Sequence, residues 1–178
     1  TVAQHEVFAL GRVLRVAVSC GDVALRIWAV HNHGISLPEM QLTSEALHSD
    51  ICDSEAAPGR VVTIVCGDWN FLASGDAKFS YDAPSAKKGE AAIEGGSVAR
   101  GGAWSGVLRR LVEFDSRAPS HFCAASGEAS RLGRVYMALP AWLIPCLAVK
   151  ACVAADPRDW NHAGVSDHVP VSVVLELK

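Results

Sequence analysis

Apolar and polar positions alternate along RVLRVAVS (residues 12–19) and again along ALRIWAVHN (residues 24–32), with CGD between the two runs. Alternation of period two sends successive side chains to opposite faces, so the pattern predicts two strands joined as an antiparallel hairpin. Gly34 and Pro38 then punctuate the chain. PEMQLTSEALHSDIC comes next, with Met40, Leu42, Ala46, Leu47 and Ile51 close to helical spacing, which predicts a helix closed by Pro58-Gly59. VVTIVC (residues 61–66) is a nearly unbroken β-branched run bounded by turn residues, as expected of a strand covered on both faces. Helical periodicity returns in AWSGVLRRLVEF (residues 103–114), where Trp104, Val107, Leu108, Leu111 and Val112 form one stripe suited to core contact. RVYMAL (134–139), CLAVKACVAA (146–155) and VPVSVVLEL (169–177) read as further strands. Residues 74–102 shift to Gly, Ala, Ser and Lys and read as a long, flexible surface loop. Hairpins mixed with a few helices, with no internal repeat and no heptad, predict an α/β (α+β) domain whose sheet is at least partly antiparallel.

Composition narrows this picture. A chain of 178 residues with 50% apolar positions is long enough for one domain with a real core and not for two, and it is too apolar for disorder. Nothing approaches the roughly 18 unbroken apolar residues of a transmembrane helix. The opening TVAQHEVFAL is neither a recognisable signal peptide nor an obvious natural start. The six cysteines form no CxxC pair and read as buried reduced thiols rather than a disulfide framework or a zinc site, which points to an intracellular, reducing setting in cytoplasm or nucleus. A formal net charge of -3 excludes a broad basic surface that would grasp a polyanion by charge alone; Lys87-Lys88 and Arg109-Arg110 are local pairs.

Four polar clusters fall at the ends of the expected strands: His31-Asn32-His33, Asp68-Trp69-Asn70, Ser130-Arg131 with Arg134, and Asp167-His168. Polar groups carried on loops by a rigid sheet are where sites are assembled. Each cluster also has a plain structural explanation. Gly67-Asp68 suits a turn, Asn70 and Asp167 suit caps, and a histidine beside a strand suits packing. Their order changes the weighing. VHNHG, then VVTIVCGDWN, then SRLGRVY, then SDHVPV resembles the endonuclease/exonuclease/phosphatase superfamily, in which GD(F/W)N, SR(I/L)DR(I/V)Y and a terminal SDHxPV occur in this order. WSGVLRRL and APSHF also look like that group's connecting segments. The resemblance runs from about Gly11 to the end and covers the C-terminal half to two thirds of such a domain. It implies a partial four-layered α/β/β/α sandwich of two mixed, largely antiparallel sheets. The look of SRLGRVY and SDHVPV is that of the retrotransposon-type endonucleases.

Phosphodiester hydrolysis needs an activated water in line with the leaving oxygen, stabilisation of charge on the phosphoryl oxygens, and protonation or metal coordination of the departing alkoxide. A carboxylate at a strand end, Asp68, fits the base. Asn70, two residues on, fits an amide donor to the phosphate, and His168 an imidazole acting on it. Asp167, with Asp68, fits a divalent cation, and hard oxygen ligands favour Mg²⁺ (or Mn²⁺). The resemblance implies the same roles, adds His31 as the second histidine of the deoxyribonuclease and sphingomyelinase branches, and implies nucleic acid as the ancestral substrate. His33 is expected to be structural.

Two departures set up a competing reading. Gly133 stands where the resemblance implies an Asp that would hydrogen-bond the terminal histidine; loss of such an orienting carboxylate costs about 10⁴ in rate in a serine-protease triad. The resemblance also implies an upstream Asn and Glu on the metal, and the only early acid, Glu6, shows no matching strand pattern. The alternative is therefore a catalytically inactive relic of the fold that serves as a binding or structural module.

Overall fold

The computed structural model describes residues 3–71, 79–80, 95–116, 118–140 and 142–178. Its strands are β1 (Ala3–Phe8), β2 (Val13–Cys20), β3 (Val23–His31), β4 (Val61–Asp68), β5 (Phe79–Ser80), β6 (Val112–Glu113), β7 (His121–Cys123), β8 (Glu128–Ser130), β9 (Gly133–Met137), β10 (Leu147–Val153) and β11 (Val171–Leu177). The helices are α1 (Leu37–Ala56), α2 (Gly95–Leu108) and α3 (Pro157–His162). Six strands form a mixed sheet in the order β1-β2-β3-β4-β9-β6, beside a two-stranded β10-β11 sheet and a three-stranded β5-β8-β7 sheet. This is the mixed α+β architecture expected. No helix among the described residues is long and apolar enough to cross a membrane.

The predicted hairpin forms as β2 and β3, antiparallel from Val13↔Val30 to Cys20↔Val23, with Gly21 at φ 60 in the tight turn. The predicted first helix forms as α1. Ser36 caps it through a reciprocal pair with Glu39, and Pro38 sits in its first turn. Other expectations need correction. Helix α2 begins at Gly95, so residues 95–102 are helical rather than loop; Phe79–Ser80 form a short strand, and the remainder of the expected loop lies outside the described residues. The same helix ends at Leu108, because backbone bonds from Arg110 to Val107 and from Leu111 to Leu108 tighten the last turn and release Val112–Glu113 to pair with β9. Glu6 does lie on a strand, β1, where its carboxylate binds Arg15 at 2.7 Å. Cys52, Cys66, Cys123, Cys146 and Cys152 are unpaired, but the first three are half-buried and the last two exposed, not buried as expected. Cys152, for instance, takes an exposed position within β10, a strand whose residues are half-buried or exposed throughout.

Strand alternation divides the six-stranded sheet into two chemically different faces. Trp28 and Thr63 point to α1, and Trp69 meets Trp104 of α2 edge-on at 5.2 Å and Tyr136 of β9 at 5.4 Å. Trp28, Trp69, Trp104, Met40, Leu47, Ile51 and Val65 form the buried core of this helix-covered face. Into it α1 sends one acid, Asp50, which is 3% exposed. Asp50 accepts from Arg15 Nε (2.8 Å), Arg26 (2.7 Å) and Trp28 Nε1 (2.8 Å), so strands β2 and β3 are tied to the helix by one carboxylate. Because a half-broken buried ion network leaves charges unpaired, Asp50→Ala is expected to cost about 3–5 kcal/mol. A urea titration would read this as a lowered midpoint with unchanged slope, and a loss below about 1 kcal/mol would contradict it.

The opposite face carries Cys66 and Asp68 of β4 and the residues that flank them. Parallel pairing of β3 with β4 runs from Ala24↔Val61 to His31↔Asp68. Near its end the backbones approach so closely that a Cβ on Gly67, at φ +144, would lie 1.9 Å from the Val30 carbonyl oxygen. No side chain fits there, and this φ already disfavours one. Gly67→Ala should therefore lose at least about 2–3 kcal/mol, whereas Gly106→Ala on the open surface of α2 should gain about 0.5–1 kcal/mol. Thermal or urea melts of the two variants compare them directly, and equal stabilities would refute the close-approach account.

Candidate functional site

Register brings the end of β3 beside the end of β4, so His31 and Asp68 are lateral neighbours. His31 Nε2 lies 3.8 Å from Asp68 Oδ2. Across the sheet, Asp68 pairs with Gly133 of β9. Asn32 closes the group from below. Its backbone N–H donates to the Asp68 carbonyl (2.8 Å), its side-chain amide donates to the Trp69 carbonyl (2.8 Å), and Trp104 Nε1 donates to its oxygen (3.2 Å). Fully buried, Asn32 thus fixes the GDWN turn to both its strand neighbour and α2. Trp69 turns into the core while Asp68 keeps the other face, so the tryptophan anchors the turn rather than lining the site.

Asn70 orients the Asp68 carboxylate. It takes a left-handed φ of 49, and its backbone N–H (3.0 Å) and its amide nitrogen (2.7 Å) each donate to one of the two carboxylate oxygens. The expected strand-like spacing therefore does not hold at Asn70. The side chain reaches the same place by a turn, and its amide serves Asp68. This self-contained turn is the conformation that Asn tolerates better than most residues.

The SDHVPV segment arrives at the same point from the other end of the chain. Strand β7 holds it: Phe122 N–H donates to the Asp167 carbonyl (2.9 Å), Val169 N–H donates to the Ser120 carbonyl (2.8 Å), and His121 and His168 form an antiparallel bridge. His168 Nε2 then lies 3.6 Å from Asp68 Oδ2. Its ring meets His121 with centroids 4.6 Å apart, and His121 Nε2 lies 3.9 Å from an Asp167 oxygen. Burial, then the neighbouring His168, pushes the His121 ring below the ordinary histidine range. His31, Asp68, Ser120, Gly133 and His168 all line one cavity of about 440 Å³, with Cys66 in its wall, where burial pushes the thiol up.

The sequence-predicted residues divide accordingly. Asp68, Asn70, His168 and His31 converge; Asp167 stands beside His168 but faces His121; His33 stacks on His31 at 6.0 Å and stays outside the cavity wall. Arg134 touches the cavity wall, but its side chain does not join them. Alternation turns its side chain to the helix-covered face, where it is buried and pairs with Glu113 at 2.8 Å. Arg131 pairs with the same Glu113 at 2.5 Å. Glu6, bound to Arg15 beside Asp50, likewise belongs to the helix side.

Three neighbours of the site were not singled out from the sequence. Arg12 NH1 contacts His31 Nδ1 at 2.9 Å; a guanidinium only donates, so Nδ1 accepts and the neutral ring carries its proton on Nε2, toward Asp68. The hairpin register, which sets Arg12 opposite His31, was the available signal. Ser120 and His121 lie in APSHF, and only a pairing between β7 and the distant SDH turn brings them in. Ser120 Oγ accepts from the Gly133 N–H at 2.7 Å. A Cβ at Gly133 would meet that oxygen at 3.0 Å and Val171 Cγ2 at 3.1 Å. Ser120 and Val171 have thus closed over the place where a carboxylate would begin.

The donors present do not fit Mg²⁺. That ion demands oxygen ligands, whereas the group of potential ligands among the described residues is His121, Asp167 and His168, with donor atoms within 4.8 Å of one another. Asp68 is not part of that group. The expected Asp167–Asp68 pair is thereby replaced by a carboxylate facing two imidazoles.

No protein-family model matches the chain, and no curated protein is similar to it in sequence. Solved structures do match. The endonuclease domain of TRAS1, a telomere-specific non-LTR retrotransposon, aligns with 99% of this chain and 69% of its own at 14% identity, TM-score 0.53. An AP endonuclease from Archaeoglobus fulgidus aligns with 97% of this chain and 70% of its own at 14% identity, TM-score 0.58. A humanized D. rerio TDP2 carrying 14 mutations aligns with 99% of this chain and 66% of its own at 12% identity, TM-score 0.54. The chain therefore spans about two thirds of the length of these structures, and its fold is that of the endonuclease/exonuclease/phosphatase proteins, the deoxyribonuclease I-like α/β sandwich.

Proposed function

We propose that the chain is a nuclease-type phosphodiester hydrolase domain in which Asp68 is the general base, Asn70 orients it, and His168 and His31 act on the scissile phosphate. The observation that carries this reading is the meeting of four residues from three separate segments at one carboxylate, with His168 Nε2 at 3.6 Å and His31 Nε2 at 3.8 Å from Asp68 Oδ2. A water in the cavity within hydrogen-bond reach of Asp68 would lose its proton to the carboxylate as it attacks phosphorus. Asn70, by donating to both oxygens, holds the carboxylate with Oδ2 facing the two histidines. The imidazole N–H groups of His168 and His31 would meet the phosphoryl oxygens as negative charge builds on them. Asp167 shapes the turn that carries His168. Nucleic acid is the substrate class favoured, since two of the structural neighbours are endonucleases, and the retrotransposon-type one agrees with SRLGRVY and SDHVPV.

A specific observation also favours the second reading, an inactive relic that binds or builds. At Gly133 the orienting carboxylate is replaced by a backbone-to-Ser120 hydrogen bond, so β9 offers His168 no acid to fix its tautomer.

Plasmid nicking separates the two. In a buffer with a divalent cation, Asp68→Ala should lower the nicking rate by at least about 100-fold, the scale of a lost general base. Equal rates for the variant and the parent would leave the relic. Restoring the missing group tests the same site in the opposite direction. Gly133→Asp, made together with Ser120→Ala and Val171→Ala because the new Cβ would otherwise meet Ser120 Oγ at 3.0 Å and Val171 Cγ2 at 3.1 Å, should raise kcat above that of the Ser120→Ala, Val171→Ala protein alone. No rise would mean that His168 does not work at a reacting phosphate.

A further inference from the structure

We propose that His121, Asp167 and His168 form a binding site for a borderline first-row ion, Zn²⁺ above all, whose occupation withdraws His168 from the phosphate. Two imidazoles and one carboxylate are the donor set that such ions take, whereas an oxygen-seeking ion finds only one hard ligand here. The three donor atoms already lie within 4.8 Å of one another. They need to close to about 3.3 Å around an ion bound at about 2.0–2.1 Å. Asp167, with a side chain 59% exposed, and His168, at 37%, have the rotational room to do so.

The backbone supporting them is fixed. His121 and His168 face each other across a β-bridge that is flanked by the Phe122 to Asp167 and Val169 to Ser120 hydrogen bonds. The His121 ring is held as a ligating imidazole usually is. Ser130 Oγ lies 3.3 Å from its Nδ1, leaving Nε2, the atom nearest Asp167, to bind. Three protein donors leave open positions on the ion for water or an anion. The absent carboxylate at position 133 fits this arrangement too. With Gly133 there, no side chain from β9 competes for His168; one neighbour of its ring, His121, is another ligand, and the 3.6 Å contact of its Nε2 with Asp68 is what an ion would displace.

The first half of this proposal, the ion site, stands independently of the hydrolase reading; the second, the loss of His168 to the ion, rests on it. The tests are separate accordingly. Titration of the metal-stripped full chain with Co²⁺, read by its visible absorption, should show one equivalent bound and its displacement by one equivalent of Zn²⁺, with excess Mg²⁺ failing to displace it. His121→Gln should weaken binding by at least about 100-fold and Ser130→Ala by about 10–100-fold, while His33→Ala leaves it unchanged. Circular dichroism confirms that each variant is folded. Should His121→Gln not fold, the parent itself decides: Co²⁺ should selectively broaden the His121 and His168 ring signals in NMR and spare those of His5 and His48. Absence of uptake, unchanged affinity in folded His121→Gln, or broadening elsewhere would overturn the site. In the nicking assay one equivalent of Zn²⁺ should inhibit the parent and spare His121→Gln; Zn²⁺ bound at this site without inhibition would overturn only the withdrawal of His168.

Discussion

Everything at the site depends on how closely β3 and β4 can approach. Parallel strands have no short turn to set their register, so it must be fixed by side chains and by steric fit. Here it is fixed by an absence. Gly67 lets the Val30 carbonyl occupy the space of a side chain, the two strands remain paired through their last residues, and His31 comes level with Asp68. A wider approach would part that pair. Asn32 then locks the arrangement with three hydrogen bonds to the GDWN turn and α2, all out of contact with water.

The same sheet keeps two kinds of polar chemistry apart by alternation alone. On the helix-covered face, charges are matched in ion pairs around two buried groups: Asp50 with Arg15, Arg26 and Trp28, and Arg134 with Glu113, which Arg131 shares. On the cavity face, Asp68 and the histidines remain partly open. A one-residue slip of β4 would exchange the two sets, burying the Asp68 carboxylate among tryptophans. Core tryptophans therefore do more than fill volume. By requiring one face of each strand, Trp28 and Trp69 select the register in which the acid stays in the cavity.

Much of this was legible from the residues. Period-two alternation gave the β2–β3 hairpin, the β-branched run gave β4, and the order of GDWN, SRLGRVY and SDHVPV indicated both the sandwich and the convergence of Asp68 with His168. What stayed hidden has identifiable causes. Strand β1 is exposed almost throughout, so it carries no apolar rhythm. Strands β7 and β8 are three residues each, too short for periodicity to register, yet they place Ser120 and His121. The start of α2 is rich in glycine, a poor helix former, so propensity argued for a loop where α2 in fact begins; its last turns are anchored by Trp104 and Val107 in the core. The opposite orientation of Arg134 was in principle readable, since it stands one residue beyond Gly133 on a pleated strand. Its place in a polar-looking motif concealed that.

The replacement at Gly133 and the approach of His121 are best understood together. An imidazole that handles protons needs a neighbour that tolerates its charge, which a carboxylate does and a second imidazole does not. With ring centroids 4.6 Å apart, His121 and His168 repel whenever both are protonated, a charge that Asp167 beside His121 and Asp68 beside His168 offset. Two neutral rings next to one carboxylate instead present lone pairs to a shared cation. One glycine, by leaving no acid on β9 and admitting Ser120, thus underlies both the proposed loss of an orienting partner for His168 and the proposed ion site.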